Sequence, residues 1–273
     1  MGRVARLIGS ILLLGILATM ASLAGSGSTI RNDGWSGLRV SILFNNVPFA
    51  PGLETAWGFA AVIEGLEQTL LFDTGGDGGV LLANMARMGI DPGEIDAVFL
   101  SHFHDDHTRG LHRFLQRNRN ATVFMPASFP SDFQASTRKS GARVVPIAAS
   151  RKLFARAYSS GPMGQAPEEQ ALMLDTDQGL VIVTGCAHPG VVDIVRQAKR
   201  RHGKTVRLLP GGFHLLRKPE RRILTTINEL KALAVAQVAP SHCTGDRATA
   251  LFRDSWGEDF LKGGCGAVIV LAP

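Results

Sequence analysis

Apolar residues fall along this chain in short runs separated by glycine-rich or polar turns. Leu38 to Phe44, Gly58 to Ile63, Leu70 to Phe72, Ala97 to Leu100 and Thr122 to Met125 read as strands. Runs this short, rich in branched and aromatic side chains and bounded by turn residues, suit buried strands better than helices. A second series follows in Arg143 to Ile147, Leu172 to Leu174, Leu180 to Val183, Val206 to Leu209 and a closing Ala267 to Leu271. Helical spacing appears instead in Val80 to Met88, Val191 to Arg201, Pro219 to Leu233 and Arg247 to Phe252, with Pro219 suited to a first helical turn. Strands come in runs in each half, each followed by helices. That order predicts two sheets packed face to face with helices outside rather than a strictly alternating parallel sheet. Residues 127–170, rich in Ser, Ala, Gly and Pro, read as an irregular excursion that serves as a lid or a substrate-binding insertion.

Composition changes this picture only at the start of the chain. With 45% hydrophobic and 19% charged residues, a packed core is expected and global disorder is not. In residues 1–28, Arg3 and Arg6 precede an apolar run from Leu7 to about Ala24, and Ser22-Leu23-Ala24 offers small residues for cleavage. This is the pattern of a secretory signal. The competing reading is an uncleaved anchor that attaches the chain to a membrane through residues 7–24. Either way residues 29–273, the expected catalytic domain, are placed outside the cytoplasm: periplasmic, secreted, or anchored facing outward. The net charge of +6 includes Arg3 and Arg6. The remaining basic clusters, Lys199-Arg200-Arg201 and Arg217 to Arg222, lack interleaved aromatics, so they read as solvated helix faces and no nucleic-acid partner is expected. Cys186, Cys243 and Cys265 are an odd count without a disulfide framework.

The densest chemistry is SHFHDDHTRG at 101–110, directly after the strand-like Ile95 to Leu100. Side chains alternate across an extended segment, so His102 and His104 face one way and can grip one ion. If a helix starts there, Asp106 and His107 lie one turn further on, close enough for two metals to share a water. Imidazole and carboxylate suit Zn²⁺ in open sites, and Mn or Fe are possible. Three more histidines end apolar runs in short motifs: TGCAHPG (His188), PGGFHLL (His214) and APSHCTG (His242).

The pattern His-x-His-x-Asp-His, preceded by Leu71-Phe-Asp-Thr-Gly75 and followed by those isolated histidines, resembles the metallo-β-lactamase superfamily. GLVIVTGCAHPG, LLPGGFHLL and SHCTG look like its branch named for dihydropterin-ribofuranosyl-aminobenzene phosphate synthase. The resemblance spans about residues 38 to 271 and implies the α/β class: an αββα sandwich of two mixed sheets with a dinuclear site at one edge. It assigns His102, His104 and His188 to one ion and Asp106, His107 and His242 to the second. Asp73 then orients a ligand histidine, or else simply forms a turn.

Three departures follow. Many relatives carry a bridging Asp between the third and last metal histidines, but Asp193 is the only Asp between His188 and His242 here and it falls in a helical pattern. His214 is read in that place, as a ligand, a substrate contact or a packed core residue. Asp105 adds a carboxylate that either discourages anionic substrates or turns to solvent. Export, finally, fits poorly with a cytoplasmic pterin precursor. Cys186 and Cys243 read as small buried fillers, and Glu54 as a surface carboxylate.

The expected function is a hydrolase whose two divalent ions, Zn²⁺ first, share a hydroxide that attacks an ester, lactone, amide or phosphoester of a small-molecule substrate. Asp106 would orient the water or pass on its proton, with His214 beside it as the second candidate catalytic residue. The alternatives are an exported binding protein that keeps the metal site without turnover, and an iron-dependent redox enzyme.

Overall fold

The central strands are apolar on both faces, so each must be covered from two sides. A computed structural model of the protein describes residues 1–2 and 37–272. The signal or anchor expected in residues 1–28 lies, apart from Met1 and Gly2, outside them. Among the described residues no helix is long and apolar enough to cross a membrane.

The first sheet begins with β1 (Leu38–Asn45), β2 (Phe59–Glu64), β3 (Leu70–Phe72), β4 (Ala97–Phe99), β5 (Thr122–Pro126) and β6 (Arg143–Ile147). The second is built by β7 (Arg151–Phe154), β8 (Ala157–Ser159), β9 (Leu172–Thr176), β10 (Gly179–Val183), β11 (Val206–Gly212) and β12 (Val235–Ser241). The last strand, β13 (Val268–Leu271), returns to the first sheet beside β1. Strand orders are β13-β1-β2-β3-β4-β5-β6 and β12-β11-β10-β9-β8-β7. Both sheets are mixed, with β3 to β6 parallel in one and β10 to β12 parallel in the other.

Helices cover the outer faces: α1 (Gly78–Arg87), α2 (Asp105–Thr108), α3 (Leu111–Leu115) and α4 (Ser131–Lys139) in the first half, then α5 (Val191–His202), α6 (Glu220–Ala232) and α7 (Asp246–Trp256). Asp77 starts α1 by accepting hydrogen bonds from the N–H groups of Gly79 at 2.6 Å and Val80 at 3.1 Å, so the run 75–79 is a turn and helix cap.

Alternation along the strands sorts their side chains into three apolar layers. Phe59, Phe72 and Phe99 meet Val181, Val183 and Leu208 between the sheets. Leu71 and Val98 point outward onto Leu81, Met85 and Phe114. Leu180 and Ile182 do the same onto Val195, Ile227 and Phe252. Phe72 stacks on Phe99 with ring centroids 5.5 Å apart, and burying each such ring stabilises the fold by roughly 2–3 kcal/mol. The layering is the expected αββα sandwich.

The structure corrects the expectation for residues 127–170. Residues 131–159 form α4, β6, β7 and β8 and belong to the layers of the fold, while 160–171 form the irregular link to β9. α4 buries only Thr137 among its residues, so its apolar spacing is too weak to read as a helix. β12 is also absent from the sequence reading, because Val235-Ala-Gln-Val-Ala-Pro-Ser has modest strand propensity. Its parallel register with β11, from Val206 opposite Val235 to Gly212 opposite Ser241, supplies the stabilisation that propensity does not.

Asn84 shows how a buried polar group fixes this frame. Its side-chain amide donates to the carbonyls of Leu43 and Glu54, both at 2.8 Å, and its Oδ1 accepts from the Glu54 N–H at 2.9 Å. Asn84→Ala removes the acceptor of the Glu54 N–H and leaves the two carbonyls to the weaker Cys265 thiol donor, so the expected loss is about 1–3 kcal/mol. A urea midpoint lowered without a change of slope is the outcome to look for.

Candidate metal centre

Parallel pairing aligns Phe72 with Phe99, so β3 and β4 deliver Asp73 and the segment Leu100 to His104 to the same sheet edge. Asp73 is completely buried and adopts a left-handed backbone, φ 51°. Its Oδ1 accepts the Ser101 N–H and its Oδ2 the Ser101 hydroxyl, both at 2.7 Å. Oδ2 also lies 2.7 Å from His107 Nδ1. With Nδ1 committed there, His107 presents Nε2 to the site. Thr74 ties the two exits together, as its N–H and hydroxyl both donate to the His107 carbonyl.

β10, β11 and β12 run parallel, so their ends also share one edge: His188 follows β10, His214 follows β11 and His242 follows β12. Glu169, fully buried and unremarked in the sequence, holds the first of these loops. Its Oε1 accepts the N–H groups of Gly185 at 3.1 Å, Cys186 at 3.0 Å and Ala187 at 2.9 Å, and its Oε2 that of His188 at 2.8 Å. Gln170 reaches the other sheet, donating its side-chain amide to the Leu100 carbonyl and its backbone N–H to that of Ser101. The contact is close: a Cβ on Gly185 would lie 2.2 Å from Ser101 Oγ. Asn46 makes the matching link from β1, its Oδ1 lying 2.8 Å from His242 Nδ1.

The two edges bring the expected ligands together. His102 Nε2 and His104 Nδ1 are 3.1 Å apart, near the roughly 3.3 Å separating two nitrogens on a tetrahedral zinc with bonds of about 2.0–2.1 Å. The His188 ring lies 4.8 Å from that of His102 and 4.9 Å from that of His104. Asp106 Oδ2 sits 3.5 Å from His107 Nε2 and 3.3 Å from His242 Nε2. His188 Nε2 is buried without a hydrogen-bond partner, and His242 Nε2, although close to Asp106 Oδ2, is buried without a well-formed hydrogen bond. Such orphaned nitrogens are costly unless something else ligates them, and neutral imidazole beside carboxylate is a donor set that fits a divalent cation.

Asp105 turns away to solvent, 74% exposed and paired with Arg109 along α2. His214 is exposed, its ring 4.4 Å from that of His188. Glu54 is a surface carboxylate paired with Arg87. Cys186 and Cys243 are buried, but Cys186 Sγ is 3.2 Å from His107 Nε2, which is not the surroundings of an apolar filler.

Electrostatics follow from this crowding. Burial, then neighbouring imidazoles, holds His102 well below its ordinary value; burial also lowers His104 and brings His188 down to about 4. These rings are therefore neutral at pH 7, as ligation requires. Burial works against His107 too, but Asp73 and Asp106 outweigh it and push it up to about 10. Burial would raise the Asp106 carboxyl, yet its contacts with His107 and His242 hold it far below the usual carboxylate range. Burial lifts Glu169 to about 6 against the pull of its N–H donors. Contact with Cys243, then burial, keeps the Cys186 thiol well above its usual value; a bound dication acts in the opposite sense.

Ser101, Asn46, Glu169 and Trp57 are the residues the sequence reading missed. Ser101 adjoins the histidine run and Asn46 directly follows β1, but Glu169 lies in no motif. Trp57, 50% exposed, rests its ring 4.8 Å from that of His242.

Imidazoles and a carboxylate gathered where two sheets of an αββα sandwich meet define an enzyme of metal-dependent hydrolase type. The chain belongs to the metallo-β-lactamase superfamily, whose family model matches residues 58–201. It is 29% identical, over a 250-residue alignment covering 75% of this chain and 85% of the relative, to the 7,8-dihydropterin-6-methyl-4-(β-D-ribofuranosyl)-aminobenzene-5'-phosphate synthase of Methanocaldococcus jannaschii. Its fold is similar to that of a metal-dependent hydrolase of the β-lactamase superfamily, with TM-score 0.75 and 23% identity over 86% of this chain and 100% of the other. It is also similar to the metallo-β-lactamase fold protein YhfI from Bacillus subtilis, with TM-score 0.65 and 13% identity over 86% and 99%.

Two substitutions test this supporting framework. Asp73→Ala frees His107 and strands Ser101, and metal affinity measured by chelator competition is expected to fall about 10–100-fold. Glu169→Gln sets an amide donor against a backbone N–H, and a loss of roughly 1–3 kcal/mol in urea unfolding is expected.

Proposed function

We propose that the chain is a hydrolase that works with two divalent cations, Zn²⁺ foremost, on an ester, lactone, amide or phosphoester of a small molecule. The observation that carries this reading is the pair of orphaned nitrogens, His188 Nε2 and His242 Nε2, each in a separate group of ligand atoms. His102, His104 and His188 would hold one cation; Asp106, His107 and His242 would hold the other. When bound, such a pair supplies Lewis acidity toward a substrate oxygen and water of lowered pKa.

The chain's own residues do the rest. Asp73 and Asn46 fix the tautomers of His107 and His242, so each presents Nε2 inward. Asp106, one-fifth exposed, offers an acceptor oxygen that orients a water. It is equally placed to pass on the proton of that water. His214 stands at the open side beside His188, where it can contact substrate.

Trp57 and Phe103 and, two residues past His214, Leu216, are 50%, 40% and 51% exposed and supply an apolar border for the carbon skeleton of a substrate. Phosphoesters belong in the panel because the name of the synthase relative carries a 5'-phosphate. Export, read from residues 1–28, is part of this proposal.

Protein purified without added metal should contain close to two equivalents per chain, and His188→Ala or His242→Ala one fewer. Chelation should abolish hydrolysis across the panel and Zn²⁺ or Mn²⁺ restore it. Hydrolysis indifferent to strong chelation, or a fully loaded chain inert on every substrate class, would overturn the reading.

A further inference from the structure

We propose that Cys186 is a further ligand of the centre, its thiolate shared between both cation positions. The inference rests on the two-cation reading above and adds a sulfur bridge to it.

Geometry carries it. Asp106, His107, Cys186 and His242 offer ligand atoms that all lie within 4.8 Å of one another, and so do His102, Cys186 and His188. Cys186 is the residue common to both groups. One is the group of His242 Nε2 and the other that of His188 Nε2, so the sulfur lies between two sets of donors that each include one nitrogen without a hydrogen bond.

The loop that carries Cys186 is built to hold it there. Its N–H is fixed on Glu169 Oε1 at 3.0 Å. Gly185 before it has no room for a side chain against Ser101. Ala187 after it takes a left-handed backbone, φ 59°, an uncommon state for a residue with a Cβ. That turn lets Cys186 and His188 address one centre from consecutive parts of the loop.

Cys265 shows what a structural thiol does in this fold. Cys265 Sγ donates to the Leu43 carbonyl at 3.3 Å and the Glu54 carbonyl at 3.4 Å. Cys243 Sγ faces the Cys186 carbonyl at 3.6 Å and lies within 4.8 Å of ligand atoms of Cys186 and His214, but it is in neither group that holds an unpartnered histidine nitrogen. Cys186 Sγ instead meets an imidazole nitrogen, His107 Nε2. Thiolate is a favoured zinc ligand, and coordination releases the thiol proton to solvent.

The test uses the full chain, stripped by chelation and titrated with Co²⁺, whose bonds to thiolate give charge-transfer absorption in the near ultraviolet. In the wild type this absorption grows with the first and again with the second equivalent. Cys186→Ser is expected to abolish it and to weaken the second equivalent roughly tenfold while leaving the circular dichroism of the fold unchanged. Cys243→Ser keeps the absorption.

Absorption that survives Cys186→Ser, or is lost only in Cys243→Ser, overturns the assignment. Growth with one equivalent alone overturns the bridge. Two bound cobalt ions with the Cys186-dependent absorption but no turnover on any ester, lactone, amide or phosphoester would defeat the hydrolase reading and leave the sulfur ligand standing.

Discussion

A carboxylate with no access to water has to find donors inside the protein, and Asp73 finds three. An isolated buried charge costs several kcal/mol, so Ser101 and His107 are held where they satisfy it. Because Ser101 adjoins His102 and the 104–107 turn ends on His107, that one requirement fixes both ends of the 102–107 segment. The same logic recurs across the site. Glu169 is solvated by the backbone of residues 185–188, and Asn46 by His242. Asp73 and Glu169 are buried on condition that each positions something.

The site also concentrates backbone strain. Asp73, Ala187, His214 and His242 all have positive φ without being glycine, and each borders the candidate ligands. Such conformations cost of order 1–3 kcal/mol apiece and persist only where surrounding structure over-determines them. Here the two sheets provide that determination: their packed aromatic layer is rigid, and the strained residues sit at the ends of its strands. Stability held in Phe72, Phe99 and their neighbours offsets the unfavourable geometry at the edge.

Much of this was legible in the sequence, for definable reasons. Strands such as Leu70–Phe72 and Leu180–Val183 announce themselves because both of their faces are covered. His102, His104, Asp106 and His107 are legible because their spacing is local. His188 and His242 could be placed only by resemblance, since nothing in the chain states that β10 and β12 end beside β4. Glu169 was illegible for a different reason: its partners are backbone N–H groups 16 to 19 residues later, and backbone donors leave no signature in side-chain identity. β12 was missed because pairing, not propensity, makes it a strand. The position of Cys186 emerges only when two sheet edges meet.

Glu169 and Gln170 have a practical corollary. Upstream of them, α4 is ground for grafting aimed at new substrates, since it buries only Thr137. The graft must stop short of this dipeptide. A recombinant that exchanged it would cut the rivet between the sheets, and since Ser159 and Met163 hold Gln170 and Glu169 in turn, diversity belongs in α4 and not in the segment that follows β8.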